Sequence, residues 1–305
     1  MSGKSNFLSL NDFSPPEITD LIEKAMKFKR DRSWCKDLLS GKTIGLIFKK
    51  PSTRTRVSFE VAVNQMGGSA LNLSPQELQM SRGEPIRDTA RVLSRYLDAL
   101  VIRTFEQAEI EEYANYSTIP IINALTDEYH PCQILADILT IIEHKSAIRG
   151  LKVAYLGDSN NVSNTIMIGM SKLGVRVFVG CPKGHDPNEE ILMYSKKAAE
   201  QGEGSIVVTN DPREAARSAD VLYTDVWVSM GQDASQKELE DFLPYQINRI
   251  LLSCAKSDAI VMHCLPAHRG EEITDEVIEG RNSVVFDQAE NRLHVQKAIL
   301  NYLLS

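Results

Sequence analysis

Short apolar, β-branched runs alternate along the chain with longer stretches whose apolar residues recur at helical spacing, a pattern that predicts a parallel-sheet α/β architecture. In the first half KTIGLIF (42–48) reads as a strand, PSTRTRVSFEVAVNQMG (51–67) as a helix and SALNLS (69–74) as a strand. DTARVLSRYL (88–97) is helical, ALVIRTF (99–105) a strand, 106–115 a short helix and IPIINAL (119–125) a strand again. His130 opens a helix to about Lys145, with Ile134, Leu135, Ile138, Leu139 and Ile142 on one face. The second half starts with the apolar strand LKVAYLGD (151–158), the polar turn SNNVSN and a helix to Lys172, and VRVFVGCP (175–182) completes a βαβ unit. Further strands are expected at 205–210, 220–226, 259–266 and 283–288, with a terminal helix from about Glu290.

A length of 305 residues suits two domains of about 150 residues each. The expected boundary lies near 146–150, and the polar stretches 73–88 and 228–244 read as long mobile loops beside strand ends. No segment approaches the roughly 20 unbroken apolar residues of a membrane span, so no membrane role is expected. The opening MSGKSNFLSLNDFSPPEI has neither a secretory apolar region nor an Arg-rich transit composition, which points to the cytoplasm. Five widely spread cysteines without a CxxC pair are expected to be free thiols.

The formal charge of -7 argues against a general nucleic-acid binder. Positive charge is nevertheless concentrated in the first half, at Arg54, Arg56, Arg82, Arg87, Arg91, Arg95 and Arg103. That clustering fits a small anionic ligand, or else solvated helix faces.

Four segments and one lone arginine carry candidate chemistry. Ser52-Thr53-Arg54-Thr55-Arg56 sits where a strand turns into a helix, so hydroxyls, the first helical N–H groups and guanidinium forks converge. The alternative is that Ser52 or Thr53 merely caps the helix. At His130-Pro131-Cys132-Gln133 a proline at the first helical position leaves His130 outside the helix, its ring nitrogens available to a ligand or to a structural role. Arg103 ends an apolar strand, where a buried guanidinium needs an anionic partner. Met262-His263-Cys264-Leu265-Pro266-Ala267-His268-Arg269-Gly270-Glu271-Glu272 lies at a strand's carboxyl end, where open α/β sheets bind ligands; its H-C-x-x-x-H spacing matches no established zinc pattern. Asp225 through Gly231 could take a substrate bearing an amine and a carboxylate. The turn Gly157-Asp158-Ser159-Asn160-Asn161 lacks the later glycines of a dinucleotide site, against an NAD enzyme.

In this order, S-T-R-T-R, a strand-end Arg, H-P-C-Q, N-N, D-x-x-x-S-M-G and H-C-L-P, the chain resembles the ornithine carbamoyltransferases over nearly its whole length. The resemblance implies two α/β domains, each a parallel sheet with helices on both faces and the active site in the cleft between them. It implies a carbamoyl phosphate-binding domain at 1–148, an ornithine-binding domain at 149–289 and a terminal helix at 290–305 packing back on the first. The implied reaction transfers the carbamoyl group of carbamoyl phosphate to the side-chain amine of L-ornithine, giving L-citrulline and phosphate in arginine biosynthesis. By that resemblance the carbamoyl phosphate site comprises Ser52, Thr53, Arg54, Thr55, Gln79, Arg103, His130, Pro131, Cys132, Gln133, Cys264, Leu265 and Arg292. The ornithine site comprises Asn161, Asp225, Ser229, Met230 and Cys264, and Arg54, Thr55, Arg103, His130 and Cys264 carry catalysis. Gln79 is implied to reach a neighbouring subunit's site, hence a homotrimer or a multiple of trimers. No cofactor and no metal are implied.

Residues alone leave two rivals open: a carbamoyltransferase for another amine, such as putrescine or an N-acylated ornithine, and a non-catalytic protein that kept the fold.

Overall fold

The computed structural model describes residues 6–228 and 236–305. The chain forms two compact units, one of Met1–Leu139 with Asn291–Ser305 and one of Thr140–Glu290.

The first unit runs α1 (Pro15–Arg30), β1 (Thr43–Phe48), α2 (Thr53–Gln65), β2 (Ser69–Leu73), α3 (Ile86–Leu93), β3 (Ala99–Arg103), α4 (Gln107–Tyr116) and β4 (Ile121–Leu125), with α5 (Pro131–Lys145) leaving it. α1 starts where sequence chemistry requires. Pro15 occupies its first turn, and the Ser14 N–H donates to Glu17 at 2.8 Å, which satisfies a backbone donor that the helix cannot. Its Ile18, Leu21, Ile22, Ala25 and Phe28 recur on one face and are buried. The four strands pair in the order β2-β1-β3-β4, all parallel. Central β3, Ala-Leu-Val-Ile-Arg, is buried at every position, as expected of a strand covered on both faces.

The second unit runs β5 (Lys152–Leu156), α6 (Asn161–Ser171), β6 (Arg176–Gly180), α7 (Glu189–Gly202), β7 (Ser205–Thr209), α8 (Pro212–Ala216) and β8 (Val221–Thr224). It continues through α9 (Gln236–Phe242), α10 (Arg249–Leu252), β9 (Ile260–His263), α11 (Asp275–Ile278) and the start of α12 (Val285–Leu304). Its five strands are parallel in the order β7-β6-β5-β8-β9.

In each sheet consecutive strands set off in opposite directions from one point. The chain goes from β1 out to β2 and then back past β1 to β3; it goes from β5 out to β6 and β7 and then back past β5 to β8. The loops after β1 and β3, and those after β5 and β8, therefore diverge and leave a crevice at the strand carboxyl ends.

Two expected elements differ. The strand expected at 283–288 is a single bridge, Ser283 to Val261, followed by α12, which starts at Val285 rather than near Glu290. The apolar run Val284-Val285-Phe286 imitates a strand, but Phe286 is exposed while Val285, Gln288, Asn291, Arg292, Val295 and Ala298 are buried at helical spacing. The loop expected at 228–244 contains α9. The expected site residues Ser229 and Met230, with Gly231, lie outside the described residues.

Candidate active site

In the first unit the loop after β1 leads into α2, with Ser52 at the N-cap position in extended conformation (φ -157°, ψ 101°). Its hydroxyl does not cap the helix. It accepts instead a bond from Arg103 Nη1 at 3.2 Å. The capping alternative therefore does not hold for Ser52: the first N–H groups of α2 keep their outward positive potential, and the side chain that would have quenched it faces an arginine. Arg103 ends β3 opposite Phe48 at the end of β1, and its carbonyl accepts from Lys49 N–H at 2.9 Å, so the sheet ladder itself fixes the guanidinium beside the helix start.

Around this point the buried groups form one network. Thr55 Oγ1 accepts from Arg292 Nη2 at 2.8 Å, Arg292 Nη1 donates to Gln133 Oε1, and Gln133 Nε2 donates to Asp137 at 2.8 Å. His130, just before α5, is 5% exposed. Pro131 opens α5, and Cys132 turns inward, its thiol donating to the Asn123 carbonyl at 3.2 Å; burial pushes that thiol up to about 12. Arg54 is half-buried in the first turn of α2. Gln79 lies exposed at the start of a short 3-10 turn. A cavity of about 400 Å³, lined by Lys49, Lys50, Ser52, Thr53 and Arg56 among others, opens alongside. Arg91, by contrast, bonds Asp88 on its own helix at 3.3 Å and lies over Tyr116, the solvated-face alternative.

Burial first, and then the charges of Arg292, Arg103 and Arg54, hold His130 well below the usual histidine range. Each favours neutral imidazole, because a second positive charge is unwelcome among guanidinium groups in a dry site. The folded value lies below the unfolded value of 6.5, so as pH falls the unfolded chain takes up a proton that the folded chain refuses. The stability this residue contributes is thus present above about pH 6.5 and is lost below it, down towards the folded value. His130→Asn should remove this component. Urea unfolding of wild type and variant between about pH 7.5 and 5 should converge as pH falls; parallel curves would show that His130 is not held neutral.

In the second unit the corresponding strand ends gather Asn160, Asp225 and Cys264. Asp225 follows β8, Cys264 follows β9, and Asn160 lies in the turn between β5 and α6. Asp225, 7% exposed, accepts from Asn160 Nδ2 at 2.9 Å on one oxygen and from the Cys264 thiol at 2.9 Å on the other. Asn161 is the first residue of α6 and is half-buried. Gly157 takes φ +139°, which only glycine adopts easily, in the turn that starts this site.

The turn carrying Cys264 is held from below. His263 Nδ1 accepts the Leu265 N–H at 2.9 Å, and Nε2 meets Glu272 Oε1 at 2.9 Å with both side chains fully buried. A backbone N–H can only donate, so the imidazole proton sits on Nε2 and faces the carboxylate. Leu265 is held at φ 57°, a conformation that costs about 1–2 kcal/mol for a non-glycine residue and that the His263 bond stabilises. Asp225, His263 and Cys264 present ligand-type atoms within 4.8 Å of one another, but a cation there would have to displace hydrogen bonds that His263 already makes through both ring nitrogens.

Sequence reasoning named the segments that hold Asn160 and Glu272 without giving either residue a role, and it missed Gln288 and Asp137. Gln288, fully buried in the first turns of α12, accepts from His263 N–H at 3.0 Å and donates to Tyr223 at 3.1 Å. Gln288 shares helical spacing with Val285, Asn291, Arg292 and Val295, whereas Glu272 lies in a turn and carries no periodic signal. All five cysteines are free thiols.

Two family models match the chain: the aspartate/ornithine carbamoyltransferase carbamoyl-P binding domain over residues 5–143 and the Asp/Orn binding domain over 149–303. The ornithine carbamoyltransferase of Anoxybacillus flavithermus is 53% identical over 100% of this chain and 98% of its own length. The solved ornithine carbamoyltransferase of Pyrococcus furiosus superposes with a TM-score of 0.95 at 50% identity, covering 99% of this chain and 97% of that one. That of Gloeobacter violaceus gives 0.90 at 48% identity and covers 100% of both. With this likeness running from end to end of the chain, the chain belongs to the ornithine carbamoyltransferases of the aspartate/ornithine carbamoyltransferase family.

Proposed function

We propose that the chain transfers the carbamoyl group of carbamoyl phosphate to the side-chain amine of L-ornithine, releasing L-citrulline and phosphate. The observation that carries this reading is the uncapped start of α2, where Ser52 faces Arg103 and leaves helical N–H groups to a dianionic ligand. In this reading Ser52, Thr53 and Arg54 hold the phosphate, and Arg103, Thr55 and neutral His130 bind the carbonyl oxygen as it becomes an oxyanion. Gln133 and Arg292 hold the carbamoyl end, with Pro131 and Cys132 shaping the wall and Cys264 and Leu265 at its edge. Fixed donors aimed at developing charge supply the largest part of such an acceleration.

Asp225 binds the α-amino group of ornithine, Asn161, Ser229 and Met230 its carboxylate end, and Cys264 lies beside the attacking amine without forming a bond to carbon. A side-chain amine titrates near 10.4 in water, so the site must desolvate it to the neutral nucleophile. Residues 1–148 form the carbamoyl phosphate domain and 149–289 the ornithine domain, with 290–305 belonging to the first. Gln79 serves a neighbouring subunit's site, so the working form is a trimer or a multiple of trimers. The name "anabolic" carried by the Pyrococcus furiosus relative, 52% identical, supports a role in arginine biosynthesis. No helix among the described residues is long and apolar enough to cross a membrane, which is consistent with a cytoplasmic enzyme.

Assaying the purified protein with carbamoyl phosphate and ornithine, putrescine or N-acetylornithine tests this directly. Ornithine should exceed either rival by about 10²-fold or more in kcat/KM, since a site built to bond a polar group rejects analogues lacking it. Equal use of putrescine would overturn the assignment.

A further inference from the structure

The two ends of the Asn160 side chain do different work. Its Oδ1 accepts from Val162 N–H at 2.9 Å and Ser163 N–H at 3.2 Å, capping α6; the Tyr155 hydroxyl lies 3.2 Å from that oxygen and shares its one proton with the nearer Asp158 carbonyl at 2.9 Å. Backbone N–H groups only donate, so the oxygen must face them and the amide nitrogen must face Asp225, to which it donates at 2.9 Å. The residue is 9% exposed, and Tyr155 beside it is fully buried and stacked on Tyr223 with ring centroids 6.0 Å apart. The two N–H groups of the helix start thus fix one end of Asn160, and the other end is an N–H aimed at the carboxylate that follows a different strand.

We propose that Asn160 is the positioning residue that holds Asp225 in the orientation from which it receives the substrate's α-amino group. The donor occupies one Asp225 oxygen, and the Cys264 thiol steers the other. A carboxylate held on both sides binds an ammonium group without first losing rotamer freedom. This inference rests on the reading of Asp225 as the amine's partner, and the test separates the two.

Asn160→Ser keeps a capping oxygen and loses the N–H donor; Asn160→Asp keeps the shape and the cap and turns the donor into a like charge. With the full-length protein, KM for ornithine should rise about tenfold in Asn160→Ser and more in Asn160→Asp, while KM for carbamoyl phosphate stays within about twofold and the melting temperature is retained. Unchanged ornithine KM in both variants overturns the proposal, and so does a fall in melting temperature with both KM values rising in parallel, which marks a purely structural role. Asp225→Asn is measured alongside. If it raises ornithine KM and the Asn160 variants do not, only the positioning role is lost; if it too leaves ornithine KM unchanged, the reading of Asp225 itself falls.

Discussion

Arg103→Ala should lower kcat for citrulline formation by about 10³-fold or more, roughly 4 kcal/mol of transition-state stabilisation. Arg103 is 5% exposed at the end of β3, so its charge acts in a medium that screens it poorly. It also holds the Ser52 hydroxyl away from the helix it would otherwise cap. Removing it therefore costs twice: the oxyanion loses a donor, and Ser52 gains the freedom to turn back and quench the start of α2. Arg103→Lys keeps the charge but loses the planar fork, and should recover only part of the rate. Steady-state kinetics at saturating carbamoyl phosphate measure both variants. A kcat within about tenfold of wild type for Arg103→Ala, about 1.4 kcal/mol, would remove Arg103 from the chemistry.

Arg54→Ala should also cost several orders of magnitude in turnover, for a different reason and with a different side effect. Arg54 is half-buried in the first turn of α2, and its charge reaches His130 together with those of Arg103 and Arg292. Its fork is suited to two phosphate oxygens at once, and the charge on phosphate grows as the bond to the carbamoyl carbon breaks. Because its side chain is not sealed in the core, the variant should keep its melting temperature within about 2 °C while losing activity. Activity within about tenfold of wild type would disprove the phosphate role; lost activity with a large fall in melting temperature would mean that the residue holds the fold rather than the ligand.

Much of this molecule was legible in one dimension. The alternation of apolar runs with helical stretches located β1 to β9 and the helices between most of them, because a doubly covered parallel strand is apolar at every position and a helix repeats every 3.6 residues. The same reading took Val284-Val285-Phe286 for a strand, since a short apolar run carries no period of its own; burial of Gln288, Asn291 and Arg292 one and two turns on decided for α12. The candidate chemistry was legible as residue types at strand ends: Ser52 to Arg56, Arg103, His130, Asp225 and Cys264.

The sequence by itself thus determined where strands β1 to β9 and most of the helices between them lie, which loops carry hydroxyls, guanidinium groups, imidazole and carboxylate, and, through motif order, the family. Only the tertiary structure decided which of those groups meet. Ser52 and Arg103 are 51 residues apart, Asn160 and Asp225 65, and Thr55 and Arg292 237. Local spacing encodes the period of an element and the chemistry of its ends. The neighbour of each strand end is set by the orders β2-β1-β3-β4 and β7-β6-β5-β8-β9, which arise from pairing and burial summed over the whole of each sheet. That is why the uncapped Ser52 and the donor end of Asn160, each a matter of where a single side chain turns, were open in the sequence and closed by the fold.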